Sequence, residues 1–146
     1  MNIRCSALDA AKYVITKCIN DREAISNLQL QKILYYMQKA YINKFRSLLF
    51  RDKIEAWKYG PSIPSVYFEY ATRVCEPIYE EYAGIEEQLD FSLAEILVLD
   101  KVIEEKRKFS AWELAEMTCK EKAWVDAYTS FNKVISPISM LDNNLK

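Results

Sequence analysis

The sequence contains no histidine, and this absence excludes several classes of active site. Ser-His-Asp and Cys-His arrangements need an imidazole as general base, and every His-ligated metal site needs it as a ligand. The chain has two glycines and four prolines, too few for a loop-rich or all-β fold. Two glycines cannot form a phosphate-binding loop or a dinucleotide fingerprint. We therefore expect neither a cofactor nor a metal.

Other signals are missing as well. The four cysteines form no Cys-x-x-Cys pair that would indicate zinc or a redox centre, and we expect reduced thiols in a cytoplasmic protein, with disulfides as the alternative. No apolar run is long enough to cross a bilayer, and the N-terminus lacks the apolar segment of a signal peptide. A formal net charge of −1 provides no electrostatic argument for binding nucleic acid or an anionic membrane.

The strongest pattern that is present is helical, from Ser26 to Leu48, and we expect the rest of the chain to cover this helix. Ser26 and Gln29 form a capping box, in which each side chain satisfies a backbone donor of the first turn. Apolar residues recur at steps of three and four and predict a core-facing stripe: Leu30, Ile33, Leu34, Met37, Tyr41, Phe45 and Leu48. The flank mixes aromatic with polar groups, and we interpret it as a recognition face: Gln31, Lys32, Tyr35, Gln38 and Lys39.

Shorter elements are predicted on both sides of this helix. Further helices are expected over residues 6–20, 64–74, 92–106, 110–118 and 122–131, and a short strand over 54–57. Capping boxes, Ser92 with Glu95 and Ser110 with Glu113, mark two of the helix starts. The inward residues of the helix over 92–106 are predicted to be Leu93, Ile96, Leu97, Leu99 and Ile103. Those of the helix over 122–131 are predicted to be Trp124, Val125 and Tyr128. The chain is thus expected to be a mainly α helical bundle over residues 1–131, with a minor strand element and a partly disordered tail, 132–146.

The segment Trp57-Lys58-Tyr59-Gly60-Pro61 has two interpretations. Gly60 can adopt φ values closed to other residues and Pro61 fixes φ, so a purely structural turn would account for both. Alternatively, the rigid turn lies beside the helix flank and completes a recognition surface, since rigid aromatic side chains lose little entropy on binding. The second interpretation predicts these partner-binding residues: Gln31, Lys32, Tyr35, Gln38, Trp57, Tyr59, Gly60, Pro61 and Tyr67.

Four stretches occur together in a recognisable order: LDAAKYVI at 8–15, LQLQKILYYMQKAY at 28–41, IEAWKYGPSIPSVY at 54–67 and FSAWELAEMT at 109–118. With Trp124 they resemble the Panacea antitoxin domain, the family of SocA-like and phage-associated GepA-like proteins. The resemblance implies a compact, mainly helical domain that binds a small protein toxin and blocks it. Two positions depart from the family: Cys119 follows Thr118 where a histidine is usual, and Ala123 precedes Trp124 where a proline is usual. Any role of that histidine is therefore lost or changed.

The resemblance implies a non-enzymatic antitoxin that neutralises a cognate toxin from a neighbouring gene by direct contact. The alternatives are a DNA-binding transcriptional regulator and a phage or mobile-element adaptor without a toxin partner; homo-oligomerisation stays open. A DNA-binding surface would need a basic stripe, for which the sequence offers Lys101, Lys106, Arg107 and Lys108. Catalysis would depend on Glu113/Glu116 or Glu80/Glu81, and no nucleophile with its base lies near either pair.

Overall fold

The computed structural model describes residues 3–142, in which helices carry most of the chain and three short strands form one sheet. The elements in chain order are α1 (Ala7–Asn20), α2 (Asn27–Phe45), β1 (Ile54–Trp57), β2 (Gly60–Ser62), α3 (Pro64–Tyr67), α4 (Ile85–Leu89), α5 (Leu93–Lys106), α6 (Ala111–Cys119), α7 (Lys122–Tyr128) and β3 (Val134–Ile135). Single turns of 3-10 helix lie at Ala71–Arg73 and Ile138–Met140. The predicted mainly α single domain with a minor strand element is confirmed.

Local sequence signals determine where the longer helices begin. All three predicted capping boxes are formed: in each, a serine hydroxyl accepts a hydrogen bond from a backbone amide three residues on, and the side chain there accepts one from the serine's own backbone amide. α2 ends three residues before the predicted Leu48. Arg46 adopts the left-handed conformation with φ 55°, which cannot continue a right-handed helix.

α2 lies at the centre of the fold, as predicted, with α1, α5, α6 and the β1–β2 hairpin packed around it. The N-terminal part of its apolar stripe is fully enclosed: Leu30, Ile33, Leu34 and Met37 are each 0% exposed. These side chains belong to one continuous core that also receives Phe50 and Leu99. A helix surrounded in this way buries polar positions along with apolar ones.

The predicted helix over 64–74 is interrupted. The structure has α3 and then the 3-10 turn Ala71–Arg73 in its place. Asn27 explains the interruption, because its amide nitrogen donates hydrogen bonds to Tyr67 O at 3.0 Å and to Tyr70 O at 3.1 Å. Two carbonyls of the predicted helix are therefore satisfied by a side chain of α2. The short α4 has no clear signal in the sequence and was not predicted.

The inward faces of α5 and α7 differ from the prediction. Leu93 and Leu97 are 73% and 64% exposed, and the buried positions of α5 are Glu95, Leu99 and Ile103. Glu95 can be buried because it accepts hydrogen bonds from Tyr41 and Arg4 and pairs with the Arg4 charge. In α7 the buried residues are Ala123 and Ala127, whereas Val125 is exposed and Trp124 stacks on Tyr128 at the margin of the core.

Part of the predicted tail contributes to the sheet. β3 pairs antiparallel with β1, Ile54 opposite Ile135, which gives the strand order β2-β1-β3. Further on, Met140 is 1% exposed and Asp142 N donates a hydrogen bond to Asn43 Oδ1. Residues 132–142 thus pack on the helical domain, and 143–146 lie outside the described residues.

Two further observations bear on function. All four cysteines are unpaired, and Cys18 is buried. Across residues 3–142, no helix combines the length and the apolar character that a membrane crossing requires.

Candidate partner-binding site

Four of the five side chains of the α2 flank predicted as a recognition face lie inside the protein, whereas Lys39 is partly exposed. Gln31 and Tyr35 are 0% exposed, and Lys32 and Gln38 are 2% exposed. The prediction that these side chains form an exposed face was wrong. The reason is that α6, β2 and the segment after α2 pack against this side of the helix and cover it.

Three of the four buried side chains support neighbouring elements. Gln31 accepts a hydrogen bond from Ile63 N at 2.8 Å and donates one to Asn27 Oδ1. Gln38 donates to Phe50 O at 2.7 Å and accepts from the backbone N–H of Leu49. The Tyr35 hydroxyl donates to Glu121 at the start of α7, and burial followed by this carboxylate raises the pKa of Tyr35 far above its usual range. These side chains hold the surrounding segments against α2.

Gln38→Leu is expected to lower the free energy of unfolding by about 2 kcal/mol, because it leaves the buried carbonyl of Phe50 and the amide of Leu49 without partners. Leucine has nearly the volume of glutamine, so the loss of packing is small. Urea unfolding of the two proteins measures the difference. A change below about 0.5 kcal/mol, the usual range of a neutral surface substitution, would contradict a structural role for Gln38.

The β1–β2 hairpin is the part of the predicted site that reaches the surface. Its strands pair Trp57 with Gly60, and Lys58 and Tyr59 form the turn between them. Gly60 and Pro61 are buried, Trp57 is half-buried, and Tyr59 is 54% exposed. Gly60 has φ +120°, a conformation that L side chains rarely adopt, which accounts for a glycine before the proline.

Aromatic side chains gather on and beside this hairpin in two groups. Tyr59 lies against Trp112 of α6, which is 63% exposed, with ring centroids 6.0 Å apart. Trp57 contacts Tyr67 edge to face at 5.0 Å and also contacts Phe68, which is 67% exposed. We call these five residues, Trp57, Tyr59, Tyr67, Phe68 and Trp112, the hairpin aromatic cluster. Large exposed aromatic side chains grouped in this way are typical of protein-binding surfaces.

Trp112 and Phe68 were not among the predicted site residues, although the sequence contains a signal for both. Trp112 lies off the inward stripe of α6, which Leu114 and Ala115 occupy. Phe68 likewise lies off the buried face of the predicted helix over 64–74, the face to which Tyr70 belongs. An aromatic residue on the outward side of a predicted helix is the pattern that would have identified them.

Lys32 is the unusual member of the predicted set. Its carbon chain passes between the hairpin and the last turn of α6: a Cβ placed on Gly60 would lie 2.9 Å from Lys32 Cε and 2.8 Å from Thr118 Oγ1. Burial lowers the pKa of Lys32 from 10.5 to about 8, with Cys119 acting in the opposite direction. Within residues 3–142, the Lys32 amine makes no hydrogen bond and no ion pair, whereas Lys39, two turns further along α2, pairs with Glu121.

Cys119 lies beside this lysine, at the position where the resembling family usually has histidine. Its Sγ is 4.0 Å from the carbonyl oxygen of Lys58 in the hairpin turn. Burial raises the pKa of the Cys119 thiol, with the Lys32 charge opposing that change. The thiol is therefore neutral near pH 7 and supplies no negative charge to the lysine.

The basic stripe considered for DNA binding is partly neutralised. Arg107 donates to Asp21 at 2.7 Å and also pairs with Glu23. Lys106 lies over the ring of Tyr36 at 4.3 Å. A DNA-binding surface needs cations that are free to displace counterions, and this stripe provides few.

Comparison with known proteins gives one match. A family model described as "Antitoxin SocA-like, Panacea domain" matches residues 30–125, which include most of α2, the hairpin, Trp112 and Cys119. Neither the curated proteins nor the solved structures provide a match. Since the matched segment covers well over half of the chain and contains the whole hairpin aromatic cluster, the chain belongs to the SocA-like antitoxin family with the Panacea domain.

Proposed function

We propose that this protein is an antitoxin that binds a cognate protein toxin directly in the cytoplasm and blocks it, without catalysis. The proposal rests on membership of the antitoxin family over residues 30–125. The exposed pair Tyr59 and Trp112, which lies within the matched segment, supports a toxin contact at the hairpin aromatic cluster.

The hairpin aromatic cluster has the properties of a binding surface. Tyr59, Phe68 and Trp112 each expose more than half of their surface, although such area is usually withdrawn from water. The supporting backbone is rigid, because β1 is paired on both sides and the Trp57 carbonyl accepts a hydrogen bond from Trp124 Nε1 at 3.0 Å. A rigid aromatic surface loses little entropy on binding.

Co-expression with each adjacent small open reading frame tests the proposal. We expect one product to arrest growth when expressed alone, and growth to recover when this protein is co-expressed. The two proteins should then elute together after affinity purification and gel filtration. Absence of both rescue and complex for every neighbouring product would overturn the antitoxin proposal.

Trp112→Ala is expected to weaken affinity for that toxin by roughly tenfold or more, because it removes a large exposed aromatic contact from the proposed surface. Stability should change little, since Trp112 is 63% exposed. Calorimetry or biolayer interferometry measures the affinity.

Tyr79→Ala is the matched control for this substitution. Tyr79 is 64% exposed, nearly the same fraction as Trp112, and lies outside the hairpin aromatic cluster. It should leave the affinity within about twofold. Equal losses from Tyr79→Ala and Trp112→Ala, or no loss from either, would place the toxin contact elsewhere on the protein.

A further inference from the structure

The amine of Lys32 reaches the protein surface at the boundary between the hairpin and α6. The residue as a whole is 2% exposed. Among the described residues, Thr16 Oγ1 is the one fully enclosed side-chain polar atom without a hydrogen-bond partner. Lys32 Nζ has no partner either, so it is not fully enclosed and keeps a small contact with solvent. The buried part of the side chain is its apolar stem.

Gly60 makes this path possible. A Cβ on residue 60 would lie 2.9 Å from Lys32 Cε and 3.7 Å from Lys32 Nζ. Any side chain at position 60 would therefore displace the end of the lysine or the hydroxyl of Thr118. The hairpin thus places a glycine, Gly60, directly beside the ammonium end of the Lys32 side chain.

No group of residues 3–142 balances this charge. No carboxylate of the described neighbouring elements pairs with Lys32. Glu55 accepts from Trp57 Nε1, and Glu113 caps the first turn of α6. Glu116 of α6 is exposed and does not act on the pKa of Lys32. Glu121 accepts from Tyr35 and Lys39. Of the nearby titratable groups, Cys119 alone acts on the pKa of Lys32, and its thiol is neutral near pH 7.

The carboxyl-terminal end of α6 does not replace a counterion. A helix C-terminus carries partial negative charge, which favours a nearby cation. The Thr118 hydroxyl, however, donates to Leu114 O and Ala115 O, and within the described chain no carbonyl of this turn accepts a hydrogen bond from Lys32. A partly dehydrated ammonium therefore lies unpaired beside the hairpin aromatic cluster.

We propose that Lys32 is an anchoring site for a carboxylate of the bound protein partner, so that an acidic side chain of the toxin pairs with it between the hairpin and α6. This inference rests on the proposed antitoxin function. A carboxylate arriving together with the surrounding aromatic contacts would pair with the ammonium in a site from which water is already largely excluded. Such pairs contribute strongly to binding because the bound charge is shielded from solvent.

One arm of the test uses the protein alone and does not depend on the toxin. With lysine labelled with carbon-13 at Cε, sodium acetate is titrated against sodium chloride at equal ionic strength. We expect a saturable shift of the Lys32 signal with acetate and an upward shift of its titration midpoint. An equal response to acetate and chloride overturns the carboxylate site, and so does saturation by inorganic phosphate at lower concentration than acetate.

The second arm uses the toxin identified by co-expression. Lys32→Met should weaken its binding by at least about 30-fold, the lower end of the loss found when one member of a shielded charge pair is removed. Lys101→Met, which removes an exposed lysine on α5, is the control and should leave the affinity nearly unchanged. If the Lys32→Met variant binds the toxin as tightly as the wild type does, the anchoring role is overturned. If the wild-type protein binds no neighbouring product, the antitoxin proposal is overturned. In that case the acetate titration alone decides whether Lys32 is a carboxylate site.

Discussion

Gly60→Ala is expected to lower the free energy of unfolding by about 4 kcal/mol, through two effects. The backbone at residue 60 has φ +120°, where an L side chain is strained by about 1 to 3 kcal/mol. The added methyl group would also lie 2.8 Å from Thr118 Oγ1 and 2.9 Å from Lys32 Cε, and overpacking of this kind costs about 1 to 3 kcal/mol more. Chemical unfolding followed by circular dichroism measures the loss.

The second glycine of the chain is a natural control. Gly84 also has a positive φ, +83°, but a Cβ there would meet no atom within 4 Å. Gly84→Ala therefore contains the backbone effect without the clash and should cost about 1 to 2 kcal/mol. The difference between the two variants sets an upper limit on the crowding at Lys32 and Thr118, because φ +120° at residue 60 is also more strained than φ +83° at residue 84.

Removing the obstructing hydroxyl should restore part of the stability. In a Thr118→Ala background, Gly60→Ala should cost clearly less than it does in the wild-type background, since the two sites are in contact and their effects are not additive. Equal losses of unfolding free energy for Gly60→Ala and Gly84→Ala, with no rescue by Thr118→Ala, would show that Gly60 is required for its backbone conformation alone. The side chain of Lys32 would then not need a glycine at position 60.

The sequence predicts well those features that depend on a few adjacent residues. The capping boxes at Ser26, Ser92 and Ser110 mark the starts of α2, α5 and α6, because a cap is satisfied within one helical turn. The strand at 54–57 was predicted for a similar reason, from alternation over four residues. Such signals need no knowledge of what packs against the element.

The sequence predicts poorly those features that depend on how many neighbours surround an element. Periodicity identified the apolar stripe of α2, but it could not show that α6 and the hairpin cover the opposite flank as well. Gln31 and Gln38 were interpreted as part of a recognition face because they lie off the apolar stripe, yet they are buried and satisfy the backbone at Ile63 and at Phe50. Their partners lie 12 to 32 positions away, beyond the reach of any local pattern.

The candidate site shows the same division. Tyr59 and the glycine-proline turn were identified from the sequence alone, because rigid turns allow few alternatives. The neighbouring Trp112 comes from a helix much later in the chain, and the contact between the two rings follows from the packing of α6 on β2. Partner binding at this cluster stays a prediction until the toxin experiments are done.

Lys32→Met is expected to raise the free energy of unfolding by about 3 kcal/mol at pH 7, in the opposite direction to most core substitutions. Burial lowers the pKa of Lys32 from 10.5 to about 8, so folding must partly dehydrate an ammonium that the unfolded chain keeps in water. At about 1.4 kcal/mol per pH unit, the difference between these pKa values corresponds to about 3 kcal/mol. Methionine has a similar unbranched shape and no charge, and it can fill the same passage.

The advantage of Lys32→Met over the wild type should depend on pH in a defined direction. Below pH 8 the lysine is protonated in both the folded and the unfolded state, and the folded state carries the full cost of dehydration. Between pH 8 and 10.5 the folded protein releases the proton while the unfolded chain keeps it, so the wild type gains stability relative to the variant. The difference between the two proteins should therefore be largest at about pH 6 to 7 and should approach zero near pH 10.5. Urea unfolding at about pH 7 and about pH 9.5 measures it, with Lys101→Met expected to match the wild type at both.

The stability and the toxin affinity of Lys32→Met together determine the role of this lysine. A variant that is more stable than the wild type and binds toxin more weakly identifies Lys32 as a residue kept at the expense of stability because the partner needs its charge. A variant that is less stable at neutral pH would show instead that the ammonium makes a stabilising contact in the folded protein. In that case Lys32 would be a structural residue, and the exposed aromatic side chains Tyr59, Phe68 and Trp112 would have to provide the proposed binding surface without it.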